Sequence, residues 1–258
     1  MRRPYGKSAE HYDAFYAERV DYDGDVRYLL DAFKKHAKAK PKRVLDLGAG
    51  TGSHALLLAK AGVKVDAVDI SDALLDVAAQ KVKAAALDDK VKLHRMDMTR
   101  ELPAGKFDAA ISMFGAWCYA RTDEEAARLL SLLSTRLPKG GLFVFEFWSP
   151  LGWRPMNSWE EMDLPDGRRL VRLTRPELEL KDDVYEFEME HIVIQDGTLI
   201  ENFSEVHGLR LRTPFQTKSL LARSGFDLVA FTKGAREGKS FDAPGPNEFR
   251  VMTIARKR

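Results

Sequence analysis

The sequence predicts a doubly wound α/β fold built on a seven-stranded, mostly parallel sheet. Three observations predict it. Apolar extended runs alternate with helical runs from residue 42 to residue 147. The first run ends in an acid and three alternating glycines, Val44-Leu45-Asp46-Leu47-Gly48-Ala49-Gly50-Thr51-Gly52. A helix and two more apolar runs return after residue 212. The 258 residues, 45% hydrophobic, suffice for one large domain carrying an insertion. The expected organisation is an N-terminal helical cap over 1–39, a core over 40–147 and 213–258, and an antiparallel β insertion over 148–212.

In the cap, His11-Tyr12-Asp13-Ala14-Phe15-Tyr16 is dense in aromatics. Val26, Leu29, Leu30 and Phe33 then recur at helical spacing over 26–38, and Pro41 stops the run. In the core, strands are expected near 42–47, 64–69, 91–95, 107–112 and 142–147, and helices near 53–61, 71–87 and 123–137. The last helix starts on Thr122 and Glu125, a capping-box spacing. A helix over 213–224, ended by Gly225, and strands near 226–232 and 250–256 complete the sheet.

The insertion opens with Trp148, Trp153 and Trp159 among prolines, which reads as a packed irregular loop. A strand is expected over 168–174. Extended runs over 184–195 and 198–212 flank Asp196-Gly197, a strong hairpin signal. Ligands of open α/β sheets bind at the carboxyl edge of the strands, so this small sheet reads as a substrate lid and as a surface for a homodimer. The connector over 234–249, with Arg236, Lys239, Phe241 and Asn247, leaves from that same edge and is expected to line the acceptor side of the cleft.

The glycine turn excludes some ligands. There is no G-x-x-x-x-G-K-[ST], and the spacing G-x-G-x-G differs from the G-x-G-x-x-G that lays a pyrophosphate on a helix. Asp46 would repel a pyrophosphate and attract an amino group. S-adenosylmethionine (SAM) has a cationic amine on one side and a ribose on the other, and fits better. Asp69, at the end of the second strand, is placed to hold ribose hydroxyls.

Five segments in order carry a resemblance: 46–52, 65–71, 94–98, 107–112 and 137–145. Together they resemble the class I SAM-dependent methyltransferases, and with Tyr12-Asp13-x-x-Tyr16 ahead of the turn the chain is similar to small-molecule N-methyltransferases acting on amino sugars or glycine. The resemblance implies a Rossmann-like methyltransferase fold with SAM as cofactor. It implies that Asp46, Gly48, Ala49, Gly50, Gly52, Asp69, Ile70, Asp97, Met98 and Met113 border the cofactor. It also implies that Tyr12 and Tyr16 close over it, and that Arg19 meets its methionine carboxylate. Tyr119 stands where similar sugar N-methyltransferases carry a histidine. A phenol has a reference pKa of about 10, so this departure favours positioning over base catalysis. Glu146 and His207 are the other candidate catalytic contacts.

The expected activity is methyl transfer to a small-molecule acceptor, an amine first, by in-line displacement. RNA- or protein-directed methyl transfer, and a non-catalytic SAM- or nucleotide-binding module, remain as other readings. A net charge of +2 gives no call for nucleic acid or acidic membranes. One cysteine, no signal-like apolar start and no run of 18 apolar residues fit a cytoplasmic protein. Neither the Asn/Asp-Pro-Pro-Tyr motif of nucleic-acid amino-methyltransferases nor a Cys/His grouping with metal spacing is present, so no metal is expected.

Overall fold

The computed structural model describes residues 5–16, 19–154, 156–164, 166–179, 184–234 and 241–258. Two sheets organise them. The larger contains β1 (Arg43–Leu47), β2 (Lys64–Asp69), β3 (Val91–Arg95), β4 (Ala109–Ser112), β5 (Leu142–Trp148), β10 (Phe226–Thr232) and β11 (Arg250–Lys257). Their order is β10-β11-β5-β4-β1-β2-β3. The pairs β1–β2, β2–β3, β1–β4 and β4–β5 are parallel, and β11 runs antiparallel to both β5 and β10. The expected seven-stranded, mostly parallel sheet is therefore present. The strand order reverses at β1, which opens a crevice between the carboxyl ends of β1 and β4.

Burial explains why these strands form. Side chains on a strand alternate between faces. Val44 packs on one face of the sheet with α2 (Tyr22–His36) and α3 (Ser53–Lys60). Leu45 and Leu47 pack on the other with α5 (Asp123–Arg136) and α6 (Pro214–Arg223). Strands covered on both sides read as continuous apolar runs, as β4 and β5 do.

The helix ends follow local chemistry. Asp21 caps α2 by accepting from Gly24 N, so the helix starts four residues before its apolar periodicity. Asp23 and Asp25 in its first turn and Lys34, Lys35 and His36 in its last suit its dipole. Thr122 and Glu125 form the expected capping box on α5, and Thr213 forms another with Gln216 on α6. Helix α4 (Asp72–Ala84) ends sooner than its periodicity suggests, followed by Ala86 at a φ of 52°.

The second sheet is β6 (Ser158–Asp163), β7 (Arg169–Glu179), β8 (Val184–Gln195) and β9 (Thr198–Arg210), all antiparallel in that order. Asp196 and Gly197 take φ of 50° and 76°, as the tight turn between β8 and β9 requires. One sequence expectation fails here. Trp159 lies in β6 rather than in an irregular loop, and Trp148 ends β5. Strand β6 is an edge with Glu160, Glu161 and Asp163 in it, and such charge hides a strand from a hydrophobicity reading. Pro176 is accommodated in β7 because the pairing with β6 stops at Thr174 and leaves that side open.

A third, small apolar cluster joins Phe15 of α1 (Ala9–Tyr16) to Leu164, Leu170 and Val193 of the second sheet. The first helix thus packs its apolar side on the second sheet.

Candidate functional site

The site grows from the turn after β1. Gly48, Gly50 and Gly52 all have positive φ, at 70°, 56° and 75°. A Cβ on Gly48 would sit 2.4 Å from Ala116 Cβ, so packing forbids one. A Cβ on Gly50 would meet nothing within 4 Å. Gly50 therefore faces open space, the side from which a ligand can reach the backbone. Gly48 N and Ala49 N donate to Val68 O, which ties the turn to β2.

Two acids border that space. Asp69 Oδ2 accepts from Gly50 N at 2.8 Å and its Oδ1 from Ser71 N at 2.9 Å. Burial raises its pKa, and those backbone bonds oppose the shift. Asp46 is 1% exposed, and its Oδ2 has no hydrogen-bond partner. Burial pushes its carboxyl up to about 6, with His54 pulling down and Asp69 pushing up. A buried carboxylate oxygen without a donor is costly, and an incoming ammonium would relieve it. Ile70, next to Asp69, is 66% exposed, an apolar surface open to a flat ring.

Other candidates for this side are engaged differently. Asp97 Oδ1 accepts from the N and Oγ1 of Thr99, and its Oδ2 lies 3.3 Å from Arg100, so its carboxylate caps its own turn. Met98 and Met113 are buried in the core clusters on opposite faces of the sheet, so their side chains serve packing. Arg19 donates to Phe15 O at 2.6 Å, lies over the Phe15 ring, and approaches Glu160 at 3.7 Å. The nearest opposite charge to Arg19 in this structure is thus Glu160 of β6.

The opposite side is built by the cap and the second sheet. Tyr12 and Tyr16 stand with ring centroids 4.7 Å apart, and Tyr16 meets Phe114 at 5.1 Å. Tyr119, at the end of a 3₁₀ turn after β4, donates to Tyr5 Oη at 2.9 Å and shares a 2.7 Å hydrogen bond with His207 Nδ1. His207 Nε2 lies 3.6 Å from Glu205 Oε2. Glu205 in turn accepts from the backbone N of Tyr5, Gly6 and Ser8 and from Ser8 Oγ. Burial alone would raise the Glu205 carboxyl. The His207 ring, Ser8 and the Tyr5 N–H outweigh burial and hold it down at about 2. Burial pushes the phenols of Tyr5, Tyr12 and Tyr119 well above their ordinary value, so all three keep their protons at neutral pH. Between these groups, Arg172 and His191 lies a cavity of about 30 Å³, roughly the size of one water.

Glu146 does not join this row. Arg250 clamps both its oxygens at 2.7 Å, and Trp148 Nε1 adds a third bond at 2.8 Å. A carboxylate so bound braces β5 against β11. In the connector, Arg236 and Lys239 lie outside the described residues. Phe241 stacks on Tyr28 of α2 at 5.1 Å, so it packs against the core and not in the cleft. Asn247 passes close to the loop after β5, where a Cβ on Gly152 would sit 2.4 Å from Asn247 O.

Sequence reasoning missed Tyr5, Ser8, Glu205, Arg172 and His191. Glu205 was within reach, since it is two residues from His207 on one strand and so shares its face. Nothing local marks Tyr5, whose backbone and hydroxyl bonds go to Glu205, Ser71 and Tyr119, all distant in the chain.

Comparison with known proteins finds a family and several relatives. Residues 44–141 match the family model described as a methyltransferase domain. The chain is 26% identical over 237 residues, 90% of its length and 94% of the relative's, to dTDP-3-amino-3,4,6-trideoxy-alpha-D-glucopyranose N,N-dimethyltransferase of Streptomyces venezuelae. Among solved structures it is similar to an S-adenosylmethionine-dependent methyltransferase from Clostridium acetobutylicum, with a TM-score of 0.81, 20% identity and 98% of each chain covered. It is also similar to a SAM-bound amino pentose methyltransferase from Micromonospora echinaspora, with a TM-score of 0.76, 22% identity and 96% of each chain covered.

Proposed function

We infer that this chain, a SAM-dependent methyltransferase whose residues 44–141 match a methyltransferase domain, methylates an amine on a small-molecule acceptor, with sugar amines the first class to examine. One observation carries the reading. Glu205, held ionised, lines the cavity with Tyr5, Tyr12, Tyr16 and His207, and the charge of Arg172 across it is answered by Glu160, so the lining is aromatic with one carboxylate. Such a lining suits a small cation. It does not suit a polyanionic nucleic acid. The Streptomyces venezuelae relative is named for dimethylating an amino sugar, which supports the same class here.

The residues around the glycine turn fit SAM. The open side of Gly50 admits the ligand, and Asp69 offers carboxylate oxygens to ribose hydroxyls. The orphaned Asp46 Oδ2 suits the amino group, and exposed Ile70 suits the adenine face. SAM, when bound, supplies a methyl group already attached to a sulfonium leaving group. The chain's own task is then orientation, which can lower a barrier by roughly 7–11 kcal/mol. Tyr119 keeps its proton and aims the acceptor, and His207 fixes the direction of its hydroxyl. Tyr12 and Tyr16 exclude water from above.

A screen of paired acceptors tests this. Amino sugars and their nucleotide-linked forms are compared with the matching hydroxyl sugars, phenols, carboxylic acids, transfer RNA and peptides, reading S-adenosylhomocysteine. Turnover on amines and none on the hydroxyl partners is expected. Turnover confined to RNA, protein or phenols would replace the reading.

A further inference from the structure

Asp13 makes more bonds than a helix residue facing solvent needs. It projects from α1 toward the core, away from the Phe15 side that packs on the second sheet. Its Oδ1 accepts from Thr51 Oγ1 at 2.5 Å, and Thr51 lies inside the glycine turn, between Gly50 and Gly52. Its Oδ2 accepts from Lys81 Nζ of α4 at 2.6 Å. Lys81 also donates to Ser53 Oγ at 3.0 Å and to Thr51 Oγ1 at 3.3 Å. The four groups close one polar cluster where α1, the glycine turn and α4 meet.

The position of Lys81 is informative. Ser53 opens α3, and Gly52 before it gives that helix no side-chain cap. A cation beside a helix N-terminus opposes the helix dipole. The Asp13 carboxylate makes the placement favourable, so lifting α1 would strand the ammonium at the positive end of α3. A second polar tie runs parallel to this one, from Ser71 Oγ to Tyr5 O at 3.1 Å, beside the Asp69 turn. The first helix is therefore seated on the second sheet by apolar contact and fastened to the core by polar bonds. One set of bonds lies at the glycine turn and the other beside Asp69, the two places the proposed cofactor would touch.

We propose that the Asp13–Lys81–Thr51 cluster is a latch that holds α1 across the cofactor cleft, and that its opening sets how fast SAM enters and S-adenosylhomocysteine leaves. Asp13 and Lys81 are positioning residues in this role. The proposal rests on the placement of SAM at the glycine turn.

Rapid-mixing measurements of S-adenosylhomocysteine association and dissociation on the full chain test it, with Asp13→Asn, Lys81→Met and the charge-swapped Asp13→Lys/Lys81→Asp. A latch present with and without ligand alters both rates alike. Each single variant should speed association and release together by about tenfold, the effect of losing one charge-assisted hydrogen bond. The equilibrium constant should stay within about twofold, because the closed state loses the same bond bound or free. The swapped pair should bring the rates back toward the parent's, and added salt should speed exchange in the parent more than in Lys81→Met. Unchanged rates in both single variants overturn the latch. So does faster release with unaltered association, which marks an ordinary ligand contact. A folded parent that binds no S-adenosylhomocysteine fails at the earlier step, the cofactor reading itself, and removes the latch with it. Asp13→Glu, which keeps the charge, should retain slow exchange, and a fast Asp13→Glu would also count against the proposal.

Discussion

Asp46 carries a cost that the fold tolerates. Its carboxyl is raised from the ordinary 3.8 to about 6, chiefly by burial. A raised folded pKa means that the native state holds the proton more tightly than the unfolded chain. The stabilising contribution is complete below about pH 4 and is lost as the pH rises through 6. At neutral pH the ionised form therefore costs on the order of 2–3 kcal/mol. Asp46→Asn should melt higher than the parent at pH 7.5, and the gap should close toward pH 4. The same variant should bind SAM more weakly. Thermal melts across pH, with titration of SAM at pH 7.5, check both, and an unchanged or lower melting point at pH 7.5 would contradict the burial argument. Tyr119 calls for the opposite kind of test. Its phenol is buried and stays protonated, so Tyr119→Phe should lower turnover by less than about 100-fold and leave SAM affinity unaltered. A fall of about 10⁴-fold would mean that the hydroxyl transfers a proton in the rate-limiting step. The residue scale is also where the sequence misleads most. Arg19 and Glu146 look like free charges in a linear reading. Their partners, Glu160 and Arg250, come from strands more than a hundred residues away and are set only by packing.

At the scale of elements, β9 does more than close a hairpin. Glu205 and His207 lie on one of its faces, and Glu205 gathers the N–H groups of the segment before α1. The depressed carboxyl contributes stability that is present above about pH 4.5 and lost as the pH falls through about 2. Glu205→Gln keeps the shape and removes the charge. It should lower the free energy of local opening at residues 5–8 by about 1.5–3 kcal/mol at pH 7, narrowing below pH 4.5. Amide exchange at Gly6 and Ser8 reads this directly, and equal protection in the two proteins would show that the charge is not what holds the segment. Legibility divides along the same lines. β1, β2, β4 and β5 are covered on both faces and read plainly as apolar runs ending at the ligand edge. The charged edge strand β6 has no such signature. The hairpin at Asp196-Gly197 is legible because its turn chemistry is local. The pairing of β7 with β8 needs the fold.

For the whole molecule, the glycine-turn side of the proposed site was legible and the side beyond the second sheet was not. The glycine turn, Asp46 and Asp69 come from one βαβ stretch, so their spacing in the chain is nearly their arrangement in space. Tyr5, Tyr119, Glu205 and His207 come from three distant segments that only the second sheet and α1 bring together. No helix among the described residues is long and apolar enough to cross a membrane.

The apolar seat of α1 is small. Phe15, Leu164, Leu170 and Val193 stand apart from the two large clusters that flank the main sheet. Protein regions open in cooperative units whose free energies follow the contacts each unit makes. This end of the molecule has little apolar contact to lose, so once the polar bonds of Glu205 and Asp13 open it can detach while both faces of the main sheet stay packed. Global melting reports the main sheet and passes over that event. A variant crippled at this end would therefore show an ordinary melting curve together with early proteolytic cleavage near the amino terminus, and its defect would be missed in any survey that ranks variants by thermal stability alone.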